Sequence, residues 1–436
     1  LIPKWKCFDG SAFTFLNIGD SFRGWNFPGH GPLWGYNINY MDWLLQEDMT
    51  FEARAQWIDR FISDLPDNKI GLDPYPIALR GINWIKFISI HRESVSKNRL
   101  QQWNDSLYSQ YQLLLKKLEY HLLGNHLLED AYSLFIASVY FRDKKMYCKA
   151  SKLLRQQLDE QILPDGAHYE QSPMYHCILL DRLLDCYNIS LNNPVFNRQS
   201  EMTSFLGNKA SMMLGHLSSV VWSSGEIPLF NDSAFGITPE PRQLFDYAGR
   251  LGLKWQARPM KESGYRKYIM RDFEVIADVG GITASYQPGH SHADTFNYEF
   301  RVEGRSFIVD TGISTYNKTK RRQYERSTSA HNTVTVDDHN SSEVWDGFRV
   351  GSRAAVKIIS ETPDSITASH DGFGKSAIHT RRFCMQNDTF TVYDVITGTH
   401  ACKNFIHFAP EIEILAFTNN LIKTNLAAVK ILGADT

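Results

Sequence analysis

The spacing of apolar residues changes once along this chain, and that change limits the possible folds more than any other feature. From about Trp34 to Gly252 the spacing is helical. Leu107, Tyr111, Leu114, Leu118 and Leu122 make one stripe, and Leu127 to Phe141 continues as a helix apolar on most sides. Further helices are predicted over 147–162, 174–187 and 205–220, with the breakers Pro164-Asp165-Gly166 and Asn192-Asn193-Pro194 between segments. Amphipathic helices of ~12–18 residues joined by loops predict antiparallel helix pairs, in a bundle or a closed toroid.

After about Glu262 the period becomes two. Phe296, Tyr298, Phe300 and Val302 alternate with Asn297, Glu299 and Arg301, and Glu303-Gly304 turns the chain into Phe307-Ile308-Val309. More strands are predicted over 354–359, 365–370, 380–385 and 389–396. The pattern is that of antiparallel β structure arranged as a sandwich. With 436 residues the chain exceeds one ordinary core. The expected division is a helical domain over 1–261 and a β domain over 262–436.

Charge is balanced, 46 Lys+Arg against 48 Asp+Glu, which argues against a general nucleic-acid binder. No segment approaches the ~20 consecutive apolar residues needed to cross a bilayer. Six cysteines stand apart, without a CxxC pair, and read as isolated buried thiols. A chain that begins at Leu1 is what a removed or cut leader would leave, so compartment is only weakly constrained.

Four groups of residues could carry chemistry. Asn125 and His126 place an amide and an imidazole side by side on a helix, with Glu129 one turn beyond His126. Ser172-Pro173 resembles a helix start, which puts Tyr175 and His176 in the first turn, where partial positive charge would favour a phenolate. His290 and His292 follow Pro288-Gly289, and an extended backbone would put them on one side. His292, Asp310 and His331 would supply three metal ligands, with water or another group as the fourth, and His290 would remain for chemistry. Last, Lys318, Lys320, Arg321, Arg322 and Arg326 lie between Asp310 and His331, where basic groups could face an anionic substrate.

Together these residues resemble the heparinase II/III family of polysaccharide lyases, most closely its heparinase III (heparan-sulfate lyase) branch. The similarity rests on Leu33-Trp34-Gly35-Tyr36-Asn37-Ile38-Asn39-Tyr40, Asp73-Pro74-Tyr75-Pro76 and Asn83-Trp84-Ile85-Lys86. It continues through Gly124-Asn125-His126-Leu127-Leu128-Glu129, the 165–176 run, His290-Ser291-His292-Ala293-Asp294, Asp310-Thr311-Gly312 and His331-Asn332-Thr333-Val334. The resemblance spans about Phe15 to Val336. It implies an (α/α) toroid followed by an antiparallel β-sandwich, and β-elimination at a uronic acid. It also implies that Asn125 and His126 neutralise the uronate carboxylate, that Tyr175 is the acid/base, and that His290 is a second catalytic group. His292, Asp310 and His331 would hold one divalent metal, zinc by preference, in a mainly structural role. Glu129, Arg321, Arg322, Tyr316 and Tyr324 are the expected substrate contacts.

The implied partner is an acidic polysaccharide met by a monomer in the periplasm or outside the cell, without nucleic acid or membrane. Heparan sulfate is the expected substrate, with alginate or a bacterial exopolysaccharide as the near alternative. The β region is shorter than the family's, which is read as truncation. A glycoside hydrolase on a similar toroid would instead need two carboxylates ~5–9.5 Å apart, for which Glu129, Asp165 and Glu170 are available. A binding protein that keeps only the scaffold is the third reading.

Overall fold

The computed structural model describes residues 2–286, 288–418 and 420–433. The chain divides into two compact units. One comprises Leu1–Ile162, Cys177–Leu214 and Gly236–Trp255, and the other comprises Leu163–His176, Gly215–Phe235 and Gln256–Thr436. The division is therefore not the single cut at 261/262 expected from periodicity. Two segments that read as helical-half sequence, 163–176 and 215–235, cluster with the β-rich unit, so Tyr175 belongs to that unit.

The first unit is helical. Its elements are α1 (Pro32–Tyr40), α2 (Phe51–Asp64), α3 (Pro74–Ile90), α4 (Lys97–Leu114), α5 (Gly124–Phe141) and α6 (Lys144–Gln161), then most of α7 (Pro173–Asn192) and α8 (Gln199–Val220), and α9 (Pro241–Arg250). A short hairpin, β1 (Ala12–Phe15) with β2 (Ile18–Ser21), precedes them. The predicted stripe over 107–122 ends earlier than expected, because α4 stops at Leu114. Only two residues, Arg142 and Asp143, join α5 to α6, so the two must fold back on each other. Asp143 caps α6 by accepting from the Met146 amide at 3.0 Å. Helix α3 is buried on nearly every side, and its Arg80 is held by Gln110 and by the carbonyls of Asn39 and Gly71. Among the described residues, no helix is long and apolar enough to cross a membrane.

The second unit contains two four-stranded antiparallel sheets. One has the order β3 (Tyr265–Ile269), β4 (Phe273–Asp278), β5 (Tyr298–Val302), β6 (Arg305–Ile308). Strand β7 (Val334–Val336) and the two-residue strands β8 (Val344–Trp345) and β9 (Arg349–Val350) follow. The second sheet runs β10 (Val356–Thr362), β11 (Ser365–His370), β12 (His379–Gln386), β13 (Thr389–Ile396). Phe273, Val275, Phe300 and Phe307 from one sheet share a core with Ile366, Ala368, Phe383 and Met385 from the other, which is the predicted sandwich. The polar residues of the alternating segment are buried: Asn297, just before β5, and Glu299 and Arg301 within it are at least as buried as Phe300. Of the six cysteines, Cys148 and Cys402 are exposed rather than buried.

A buried clasp ties the second sheet to the backbone that carries the functional residues. Arg381 Nε and Nη2 grip Asp394 at 2.6 and 2.8 Å, and Nη1 donates to the carbonyls of Phe296 and Asn332 at 2.8 and 2.7 Å. Burial alone would raise the Asp394 carboxyl, but Arg381 and the hydrogen bond from His379 hold it well below the carboxylate range. Stability from this group is therefore complete above its unfolded pKa of about 3.9 and is lost as pH falls toward the folded value. Arg381→Ala, read by denaturant melts, should cost roughly 3 kcal/mol, since it strands a largely buried carboxylate. A loss below about 0.5 kcal/mol would reduce the clasp to an ordinary surface pair.

Candidate active site

Helix α7 begins as the sequence suggests. The Ser172 Oγ accepts from the Tyr175 amide at 3.2 Å and donates to the Asp232 carbonyl at 2.7 Å. The half-buried Tyr175 ring stacks on His290, with centroids 3.9 Å apart, and its hydroxyl lies 3.1 Å from that of Tyr316. The phenolate expected from the helix start is not favoured here. Burial pushes the Tyr175 phenol up, and desolvation outweighs Arg322, which pulls the other way.

Beneath this pair lies Asp232, which sequence reasoning missed. Its carboxylate is fully buried and meets His290 Nδ1 and His292 Nε2, each at 2.8 Å. Arg322 grips the same carboxylate with Nη1 and Nη2, the latter at 2.8 Å, and its Nε donates to the Gly347 carbonyl. Burial opposes ionisation of Asp232, but Arg322 and the two imidazoles hold its carboxyl far below the ordinary range. The loop that carries it is set tightly. Asn231 is left-handed, at φ 56°, and its Oδ1 accepts from the His292 amide at 2.9 Å. Gly312 must be glycine, because a Cβ there would stand 2.3 Å from the Ser233 carbonyl at φ +55°.

The expected substrate contacts therefore separate. Arg322 is a correction: it is fully buried on Asp232 and packs beside the stacked rings of Tyr316 and Phe348. Arg326 is also buried, donating to the Ser291 carbonyl between the two histidines. Arg321 and Tyr324 are exposed, with Arg321 on Glu325 at 2.6 Å. These residues belong to the short helix α10 (Lys320–Glu325) and its C-terminal cap, whose buried side carries 322 and 326. The basic run is thus not one solvated loop.

Behind the histidines is an acidic pocket. One donor atom from each of Asp294, Asp310 and His331 lies within 4.8 Å of the others, and all three residues are buried. His331 Nδ1 lies 3.1 Å from Asp310 Oδ2, while its Nε2, like Asp294 Oδ2, is buried without a hydrogen bond among the described residues. Burial and Asp310 push Asp294 up to about 7. Asp278 and Glu299 are raised as well, Glu299 to about 8. Oxygen and imidazole donors crowded beyond their neutralising cations suit a divalent ion. The predicted triad is present in two of its members. The third, His292, turns Nε2 to Asp232 and keeps Nδ1 buried without a hydrogen bond, while Asp294 takes the place in the close group.

In the helical unit, Asn125 and His126 do fall in the first turn of α5. His126 Nδ1 meets Glu119 at 3.2 Å and its ring lies against Tyr75 at 4.5 Å. Glu129, expected as a substrate contact, is instead buried beside Arg182 at 3.5 Å. Neither does Asp165 suit a hydrolase: its oxygens accept from the amides of Ala167 and Ser263.

Two family descriptions match in chain order: Heparinase II/III N-terminus over residues 80–241, and Heparinase II/III-like, C-terminal over residues 253–429. A heparin-sulfate lyase from Pedobacter heparinus is 25% identical over 246 residues, 50% of this chain and 36% of that protein. One from Bacteroides stercoris is 21% identical over 320 residues, 66% of this chain and 46% of that protein. The chain thus spans less than half the length of these curated relatives. Among solved structures, a heparinase III superposes with a TM-score of 0.68 at 16% identity, covering 94% of this chain and 73% of that one. A mutant of the heparan sulfate lyase from Pedobacter heparinus gives 0.61 at 18% identity, covering 86% and 64%. They share the fold expected from the sequence, a helical N-terminal region followed by antiparallel sheets. Arg322→Met should lower stability by about 3–5 kcal/mol in thermal or denaturant melts, because Asp232 would stay buried without its counter-ion. Arg321→Met should cost less, about 1–2 kcal/mol, because its buried partner Glu325 keeps the Ser314 amide and hydroxyl, and equal effects would contradict the geometry.

Proposed function

The chain belongs to the heparinase II/III family, and on that premise we propose that it is a lyase cleaving an acidic, uronate-containing polysaccharide by β-elimination. The observation that carries this reading is the stacked Tyr175–His290 pair above the Asp232–Arg322 ion pair. It puts two proton-transfer groups together on a rigid, charge-balanced base. Elimination requires such groups. The C5–H bond breaks, its electrons form the C4–C5 double bond, the C4–O4 bond breaks, and O4 takes a proton.

Tyr175 is the acid/base. Burial keeps its phenol protonated at rest, which suits donation to the leaving oxygen. To act as base it first passes its resting proton to the adjacent His290, and the phenolate then takes the C5 proton and returns it to O4. His290 is the second catalytic group at the same ring. Asn125 and His126 are assigned to the uronate carboxylate and the charge that develops as C5 loses its proton, a role that rests on the sequence resemblance and falls within the 80–241 span of the family's N-terminal description. Exposed Arg321 and Tyr324, with half-buried Tyr316, are the substrate contacts, and heparan sulfate is the preferred substrate class.

Asp310 and His331, with Asp294 and the Nδ1 of His292, would hold one divalent cation. When bound, that ion supplies charge balance and stiffness to the loops behind His290 rather than a reacting group. Zinc fits the imidazole donors and the carboxylates leave room for a harder ion. Export to the periplasm or beyond follows from the size of the substrate.

Incubation with heparan sulfate, alginate and hyaluronan, followed by ultraviolet absorbance, should reveal an unsaturated uronate from heparan sulfate. Absorbance from none of the three would sink the lyase reading. Tyr175→Phe should keep the fold and lower kcat by about a thousandfold or more, the size expected when a proton-transfer group and its positioning are lost together. For the cation, Asp310→Ala should lower bound metal and melting temperature in parallel. Unchanged metal stoichiometry by elemental analysis would remove Asp310 from the pocket.

A further inference from the structure

His290 and His292 stand two residues apart and meet one carboxylate through different ring atoms. Asp232 Oδ2 faces Nδ1 of His290 and Oδ1 faces Nε2 of His292, each at 2.8 Å. Arg322 fills the remaining approaches with two N–H groups. An ionised carboxylate can only accept, so each imidazole nitrogen turned toward it must carry a proton. The consequence is a pair of opposite tautomers. In its neutral form His290 then carries its proton on Nδ1 and its lone pair on Nε2, and neutral His292 carries its proton on Nε2 and its lone pair on Nδ1.

We propose that Asp232 is a positioning residue that sets both histidines at once, presenting Nε2 of His290 for reaction and Nδ1 of His292 to the acidic pocket. Three observations beyond the two contacts support it. The His292 Nδ1 is buried without a hydrogen bond among the described residues, and its ring centroid lies 5.2 Å from that of His331. The His290 ring is stacked on Tyr175, with centroids 3.9 Å apart. The backbone of Asp232 is locked to both partners: its amide donates to the His290 carbonyl at 3.1 Å, and its carbonyl accepts from Ser172, which also caps Tyr175. One carboxylate therefore registers the tyrosine, the reactive histidine and the pocket histidine against each other.

The kinetic part of this assignment rests on the lyase reading, and the tautomers do not. Neutron diffraction from deuterated native protein at neutral pH should show deuterons on His290 Nδ1 and His292 Nε2. A deuteron on His290 Nε2 or on His292 Nδ1, or a bare nitrogen facing Asp232, would overturn the assignment, whether or not the protein is a lyase. Asp232→Asn offers one acceptor and one donor in place of two acceptors, so both histidines cannot be served. With circular dichroism unchanged, kcat should fall by about 100-fold or more with KM within about threefold, as when an aspartate that fixes a histidine tautomer is lost. Adding Asp232→Asn to His290→Ala should cost much less than the single Asp232→Asn loss, the remainder being what acts through His292. An additive loss, or a kcat within threefold of native in the single variant, would overturn the role. If the variant does not fold, the native neutron map decides. If native protein releases no unsaturated uronate, the lyase reading fails and the map still stands.

Discussion

The buried ion pair between Asp232 and Arg322 sets the electrical conditions for everything around it. A carboxylate removed from water without a permanent counter-charge would take up a proton, and both histidines would lose their acceptor. The guanidinium prevents this with two parallel donors, and its plane is held beside the rings of Tyr316 and Phe348. One turn later Arg326 grips the carbonyl between the histidines. Short helix α10 thus delivers two cations inward while leaving Arg321 at the surface.

The acidic pocket behind the histidines has the opposite balance. Asp278, Asp294, Asp310 and Glu299 crowd together, and His331 is the group whose pKa rises in response to Asp310. Amides rather than cations hold the frame. Asn297 donates to Asp310 and accepts from the Asn332 amide, and Asn332 in turn donates to the carbonyls of Tyr298 and Val309. Such a frame fixes geometry without neutralising charge, which is why a divalent ion is the natural complement.

Much of this was legible in the sequence, and the rest was hidden for definite reasons. The change of period marked helices and sheets because burial on one face imposes it. The His290–His292 spacing, Asp310 and His331 stood out because those residue types rarely cluster without chemistry. Asp232 gave no signal: it sits in a loop, with partners 58, 60 and 90 residues away. The burial of Glu299 and Arg301 in β5 gave no signal, because alternation separates two faces without saying what covers the polar one. Arg322 and Arg326 could have been found. They are four apart, on one side of a helical turn, while Arg321 points elsewhere. Periodicity could not reveal that 163–176 clusters with the β-rich unit, since local spacing carries no information about tertiary neighbours.

The central claim is that the tyrosine–histidine pair breaks a sugar linkage by elimination, without water entering the bond. Digestion of heparan sulfate in heavy-oxygen water, followed by mass spectrometry of the fragments, tests this directly. The account predicts unsaturated products one water lighter than hydrolytic fragments, with no heavy oxygen incorporated during cleavage. Saturated fragments carrying heavy oxygen at the new end would contradict it.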